Sequence, residues 1–206
     1  MADSWIKFCG CTSAADVALA AETGADAFGM IFAPSPRRIT FEAAEEIARR
    51  LPASLVPVAV FVNPQREEVD GVLETFPRAM LQFSGDETPE FVGRYGDRAI
   101  KAIHVDDRGA LLDERCERYP EAIVLFDARH DGMAGGTGLT FDWNHALPIV
   151  GKRRVVIAGG LDPKNVGECV ERAHPFGVDV RSGIETEGRK DPQKMRDFVN
   201  AVRGAK

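Results

Sequence analysis

At 206 residues, 44% hydrophobic and 28% charged, the chain has the size and composition of a globular protein and not of a disordered or fibrous one. No apolar run approaches the roughly 20 residues a bilayer crossing needs, and Met1-Ala2-Asp3-Ser4-Trp5 lacks the cationic stretch and apolar core of a signal peptide. A net charge of −6 with scattered basic residues speaks against nucleic acid as the main partner, since phosphate-backbone binding wants a basic face.

A cytoplasmic protein, free of membranes, is therefore expected. Cys9, Cys11, Cys116 and Cys169 lack zinc-type spacing, and a reducing compartment keeps such thiols unpaired, so no metal is expected.

Short apolar runs recur about every 25 residues along the chain. Trp5–Cys9 predicts a strand, followed by a helix over Ser13–Glu22; Ala27–Phe32 and Leu55–Val62 predict strands on either side of a helix over Phe41–Arg50. Gln65–Thr75 predicts a helix before a strand at Ala79–Gln82, and Pro89–Tyr95 one before a strand at Ala99–Ile103. A helix over Arg108–Arg118 precedes a strand at Ala122–Phe126; a mostly looped connection with a short helix near Phe141–His145 then leads to Arg154–Ile157. Pro163–Ala173, Val178–Val180 and Asp191–Val202 complete the alternation as helix, strand and helix.

Ser13 and Thr40 stand where hydroxyl caps begin helices. Gly24 and Gly177 stand where a left-handed stop would end them. Near-continuous hydrophobic strands separated by covering segments imply a parallel sheet, and eight of them close a filled barrel. The expected fold is α/β, one (β/α)₈ TIM barrel over residues 1–206, with an open doubly wound sheet as the rival.

In such a barrel the chemistry gathers where strands end and loops begin. The first strand ends in Lys7-Phe8-Cys9-Gly10-Cys11-Thr12. The two-residue pleat puts Lys7 and Cys9 on one face and Phe8 on the other, so Cys9 faces the barrel mouth if Phe8 packs beneath the helices. Asp127 closes the sixth strand, where a buried carboxylate needs a partner, solvent or substrate. Beyond it, Gly135 and Gly136 belong to a glycine-rich loop able to bring backbone amides near an anion.

Gly159 and Gly160 follow the seventh strand, and Ser182 and Gly183 follow the eighth, the usual phosphate position in these barrels. Arg37, in the proline-stiffened loop after the second strand, carries a planar fork suited to a carboxylate, although local sequence by itself reads first as a solvated basic turn. His104, His130, His145 and His174 show neither metal spacing nor a common strand end, and are expected to be surface or structural residues.

These pieces, in this order, resemble the phosphoribosylanthranilate isomerase family of tryptophan biosynthesis. The resemblance rests on Lys7-Phe8-Cys9-Gly10-Cys11-Thr12, on Gly24 through Arg37, and on Val60-Phe61-Val62-Asn63. It continues through Gly135-Gly136-Thr137-Gly138, Ala158-Gly159-Gly160-Leu161, Gly177-Val178-Asp179-Val180 and Ser182-Gly183-Ile184-Glu185, almost the whole chain. It implies an Amadori rearrangement of an aminoaldose to an aminoketose, with Cys9 as general base and Asp127 as general acid. Arg37 would meet the anthranilate carboxylate, and Gln82 and Asp179 would hold other polar parts of the substrate. Gly135, Gly136, Gly159, Gly160, Ser182 and Gly183 would hold its phosphate.

The resemblance implies no cofactor and no metal, a small phosphorylated substrate as the partner, and a monomer or homodimer. One departure stands out: the family's Gln-Leu-His-Gly reads Gln82-Phe83-Ser84-Gly85 here, with serine at the histidine position. Two sister barrels fit less well. The imidazole-pathway isomerase has an aspartate where Cys9 stands, and indole-glycerol-phosphate synthase needs a lysine where Phe61-Val62-Asn63 stands. A non-catalytic barrel that only binds a phosphometabolite is the alternative from a different class.

Overall fold

The computed structural model describes residues 4–106, 109, 111–128 and 140–205. Eight strands, β1 (Trp5–Cys9), β2 (Ala27–Ile31), β3 (Val56–Phe61), β4 (Met80–Phe83), β5 (Ala99–Val105), β6 (Ile123–Ala128), β7 (Val155–Ile157) and β8 (Gly177–Val180), pair in parallel in chain order, and β8 closes on β1. Closure removes the open-sheet rival. Between and after the strands run α1 (Ala14–Glu22), α2 (Phe41–Arg49), α3 (Arg66–Thr75), α4 (Pro89–Gly93), α5 (Leu112–Glu117), α6 (Leu147–Val150), α7 (Val166–Ala173) and α8 (Pro192–Gly204). A short antiparallel hairpin, β9 (Glu185–Thr186) with β10 (Arg189–Lys190), lies between β8 and α8.

Strand alternation sorts the side chains into two cores. Outward-facing Ile6, Phe8, Phe28, Phe61, Leu81 and Phe126 join the helices in one large apolar layer. Phe8 meets Phe198 of α8 edge-on at 6.0 Å, the packing the pleat required of it. Inward-facing Ala27, Val58, Ile100, Ile123, Leu125 and Val156 fill the barrel, so it is a packed core with no pore. Above them Cys9, Ile31, Ala33 and Val60 form the last layer before the mouth.

The helix starts behave as their caps imply. Ser13 Oγ accepts from the Asp16 amide at 3.2 Å while Asp16 accepts from the Ser13 amide, a complete capping box. Thr40 Oγ1 accepts from the Ala43 amide. Gly24 has the expected left-handed backbone, φ +89°.

Gly177 does not. The left-handed stop after α7 is His174, φ +44°, while Gly177 already belongs to β8. A Cβ there would stand 2.7 Å from the Trp5 carbonyl oxygen, so glycine serves the seam between β8 and β1. α5 and α7 begin later than their composition predicts, at Leu112 and Val166. Before α7 the chain is held in a turn by Asp162, whose Oδ1 accepts from the amides of Lys164 and Asn165.

Candidate active site

The mouth of the barrel opens as one cavity of about 820 Å³ at the C-terminal ends of the strands, within the range of small-molecule sites. Cys9 enters it from β1, Asp127 from β6, Gln82 from β4 and Asp179 from β8, each on the inward face of its strand. Arg37, Gly159, Gly160 and Ser182 line it from loops. Gly183 stands behind them, and Gly135 and Gly136 lie outside the described residues.

Cys9 and Cys11 are separated by the left-handed Gly10, φ +73°, and end in different environments. Cys9 joins the mouth layer, whereas Cys11 is sealed between strands and helices with its thiol against the Phe8 carbonyl at 3.6 Å. Burial pushes the Cys11 thiol up to about 12. Burial also pushes the Cys9 thiol up; the neighbouring Lys7 ammonium opposes this and the Asp179 carboxylate reinforces it. Lys7 itself is fully buried and donates to Asp179 Oδ1 at 2.9 Å. Burial works to lower the Lys7 pKa, but Asp179 and Cys9 together hold it above the usual lysine value.

Asp127 lies three strands from Cys9 across β7 and β8. Burial raises its carboxyl from 3.8 to about 6, with the Asp179 charge adding to the rise and Arg181 and Lys7 opposing it. A carboxyl poised near neutrality can carry a proton to a leaving oxygen.

The fork of Arg37 is largely engaged within the protein. Its Nε donates to Glu185 Oε1 at 2.9 Å and one terminal nitrogen donates to Glu185 Oε2. Glu185 also accepts from Lys190 Nζ at 3.0 Å, and Lys190 reaches the Cys9 carbonyl oxygen at 2.5 Å. Arg37 is thus joined through Glu185 and Lys190 to the backbone of the cysteine. Sequence reasoning gave Glu185 and Lys190 no role of their own, because Arg37 and Cys9, which they meet, are 148 and 181 positions away.

Gln82 donates from Nε2 to Ser84 Oγ at 3.2 Å, so the serine at the family's histidine position is part of the wall. Its Oε1 is buried without a hydrogen-bond partner among the described residues. His104, expected to be peripheral, also lines the cavity: it faces inward on β5 in register with Asp127. The alternation Ile100, Ala102, His104 carried that signal.

The two glycine turns have distinct physical reasons. Gly159 and Gly160 hold left-handed backbone, φ +80° and +65°. A Cβ on Gly183 would stand 2.0 Å from the Leu161 carbonyl oxygen, so the loops after β7 and β8 touch there through bare backbone. Among the described residues, no three His, Cys, Asp or Glu side chains gather as metal ligands would.

The family described as N-(5'phosphoribosyl)anthranilate (PRA) isomerase matches residues 6–201. The chain belongs to this isomerase family. It is 40% identical over 200 residues to the N-(5'-phosphoribosyl)anthranilate isomerase of Listeria monocytogenes, covering 97% of this chain and 98% of the relative. The phosphoribosyl anthranilate isomerase of Thermotoga maritima superposes with a TM-score of 0.88 at 34% identity, covering 98% of this chain and 99% of that one. A phosphoribosyl anthranilate isomerase solved in complex with reduced 1-(o-carboxyphenylamino)-1-deoxyribulose 5-phosphate superposes with a TM-score of 0.85 at 33% identity, with coverage of 98% and 99%. The barrel fold agrees with these isomerase structures over 98% of the chain.

Proposed function

We propose that this isomerase converts N-(5'-phosphoribosyl)anthranilate to the aminoketose with Asp127 as general acid and Cys9 as general base. The observation that carries the assignment is the placement of these two groups on separate strands of one cavity, both inward, with the glycine turns of β7 and β8 between them. That a similar isomerase was solved in complex with a reduced aminoketose phosphate supports a ligand of this class for this chain.

Protonated Asp127 gives its proton to the furanose ring oxygen; the C1′–O bond breaks and the nitrogen lone pair forms the Schiff base. The Cys9 thiolate then takes the C2′ proton, and the C–H electron pair moves toward the cationic nitrogen, giving an enolamine. Tautomerisation yields the ketone. General acid–base steps of this kind need the two groups on opposite sides of the reacting atoms.

The phosphate is assigned to the backbone around Gly159, Gly160, Ser182 and Gly183; Gly135 and Gly136, expected to help, lie outside the described residues. The carboxylate is assigned to Arg37. Gln82 Oε1, an acceptor left open inside the wall, takes a substrate donor, and Asp179 holds a polar group of the substrate while keeping Lys7. The site is proposed to work in the cytoplasm, consistent with four free cysteines.

The test is turnover of freshly generated substrate, followed by its fluorescence. Cys9→Ala should abolish turnover yet still bind a product analogue, and Cys11→Ala should keep most of the activity. A dead Cys11→Ala beside an active Cys9→Ala would overturn the base assignment, and no turnover by the unaltered protein would leave a barrel that only binds.

A further inference from the structure

We propose that Lys7 is a positioning residue for the base: its ammonium, anchored on Asp179, is shared with the Cys9 sulfur and makes the thiolate attainable inside a buried wall. This rests on the reading of Cys9 as the base.

Lys7 is 0% exposed, and burying an ammonium is costly unless it is paired and hydrogen-bonded. Asp179 supplies one bond, at 2.9 Å. A lysine has three donors, and a self-contained pair would explain the charge without explaining its location. The location is the informative part. Lys7 faces the same way as Cys9, two residues earlier on β1, and both ends reach the space over Gly29 of β2. A Cβ on Gly29 would stand 2.9 Å from the Cys9 sulfur and 3.1 Å from Lys7 Nζ. Sulfur and ammonium therefore lie side by side in a gap that only glycine leaves open. The register Lys7↔Asp179 across the β1–β8 seam brings the carboxylate to the other side of the same ammonium.

The electrostatics agree in sign. Burial raises the thiol, Asp179 raises it, and Lys7 and, more weakly, Lys190 lower it. Of the two cations Lys7 is the stronger influence and the one that hydrogen-bonds the sulfur, so the availability of the thiolate depends on how Cys9 and Asp179 share Lys7. The proton balance follows. Lys7 already carries its proton, so the Cys9 S–H proton leaves to water at the cavity mouth when that bond breaks. Lys7 holds the negative charge left on sulfur, and the thiolate then forms a new S–H bond with the C2′ proton.

The measurement is the pH dependence of Cys9 alkylation by iodoacetamide, with the modified peptide identified by mass spectrometry, in the intact chain. Lys7→Gln should move the midpoint up by about one pH unit or more, lower kcat with little change in KM, and be partly rescued by Lys7→Arg. Asp179→Asn should move the midpoint down, because the competitor for the cation is gone. A merely structural lysine would move neither midpoint in these opposite senses. A folded Lys7→Gln with an unmoved profile overturns the proposal. If Lys7→Gln does not fold, Lys7→Met, which keeps the length and apolar stem without the charge, decides by the same measurement: a raised midpoint supports the proposal, and an unmoved or lowered one overturns it. Turnover by Cys9→Ala would remove the base assignment alone, since the alkylation profiles report on the pairing without any turnover.

Discussion

At the scale of single residues, the site works by placing ionisable groups where water cannot equalise them. Asp127 shows the consequence most directly. Its folded pKa of about 6 lies above the ordinary 3.8, so the fold prefers the protonated form. Stability from this group is full below about pH 4 and is lost as the pH rises through about 6, where a buried charge must be carried. Asp127→Asn keeps the shape without the charge. It should therefore lose turnover by about 10²–10⁴-fold while gaining up to about 3 kcal/mol of stability at pH 7. Urea denaturation at pH 7 and pH 4 checks the second half: the gain should shrink toward zero at the lower pH, and a variant less stable at pH 7 would refute it. Arg37 teaches the opposite lesson. A planar fork read from sequence as open to a carboxylate proves to be largely held by Glu185, so any substrate contact is made by a guanidinium already fixed in place.

At the scale of elements, three loops at the mouth are held in two ways: those after β7 and β8 by backbone reaching backbone, and that after β4 by a buried ion pair. The turns after β7 and β8 meet at Gly183 and Leu161. Gly183→Ala would force them apart, because a methyl group cannot stand 2.0 Å from a carbonyl oxygen. KM for the phosphorylated substrate should rise and the melting temperature should fall together; a change in KM with no change in melting would place Gly183 on the ligand instead of between the loops. The loop after β4 is held from outside the barrel. Lys101 of β5 donates to the Gly85 carbonyl at 2.6 Å and to Glu87 Oε2 at 2.7 Å, and Glu87 in turn accepts from the amides of Asn63 and Gly85. Lys101→Met would strand the buried Glu87 charge and should cost about 3–5 kcal/mol, seen as a lower midpoint in urea. An unchanged midpoint would mean that water replaces the ammonium.

At the scale of the whole molecule, a closed parallel barrel brings strand ends together that are distant in sequence, which explains what could be read in advance and what could not. The alternation of eight apolar runs with amphipathic stretches determined the barrel, because buried parallel strands and covering helices have different periods. The two-residue pleat also determined that Cys9 faces in and Phe8 faces out, since that is local geometry. The motifs at the strand ends put Asp127, Asp179 and the glycine turns at the C-terminal end of the barrel, where they line one cavity. Helix starts were read less well where a turn and a helix share composition, as before Val166, and Gly177 was assigned a stop that His174 performs. The tertiary structure alone decided the partners: Lys7 with Asp179, Arg37 with Glu185, Lys190 with the Cys9 carbonyl, and Lys101 with Glu87. Such contacts depend on distance through space, and in these four the separations along the chain run from 14 to 181 positions. Local sequence states which groups are ionisable and which way a strand turns them, but only closure of β8 on β1 determines which charges meet.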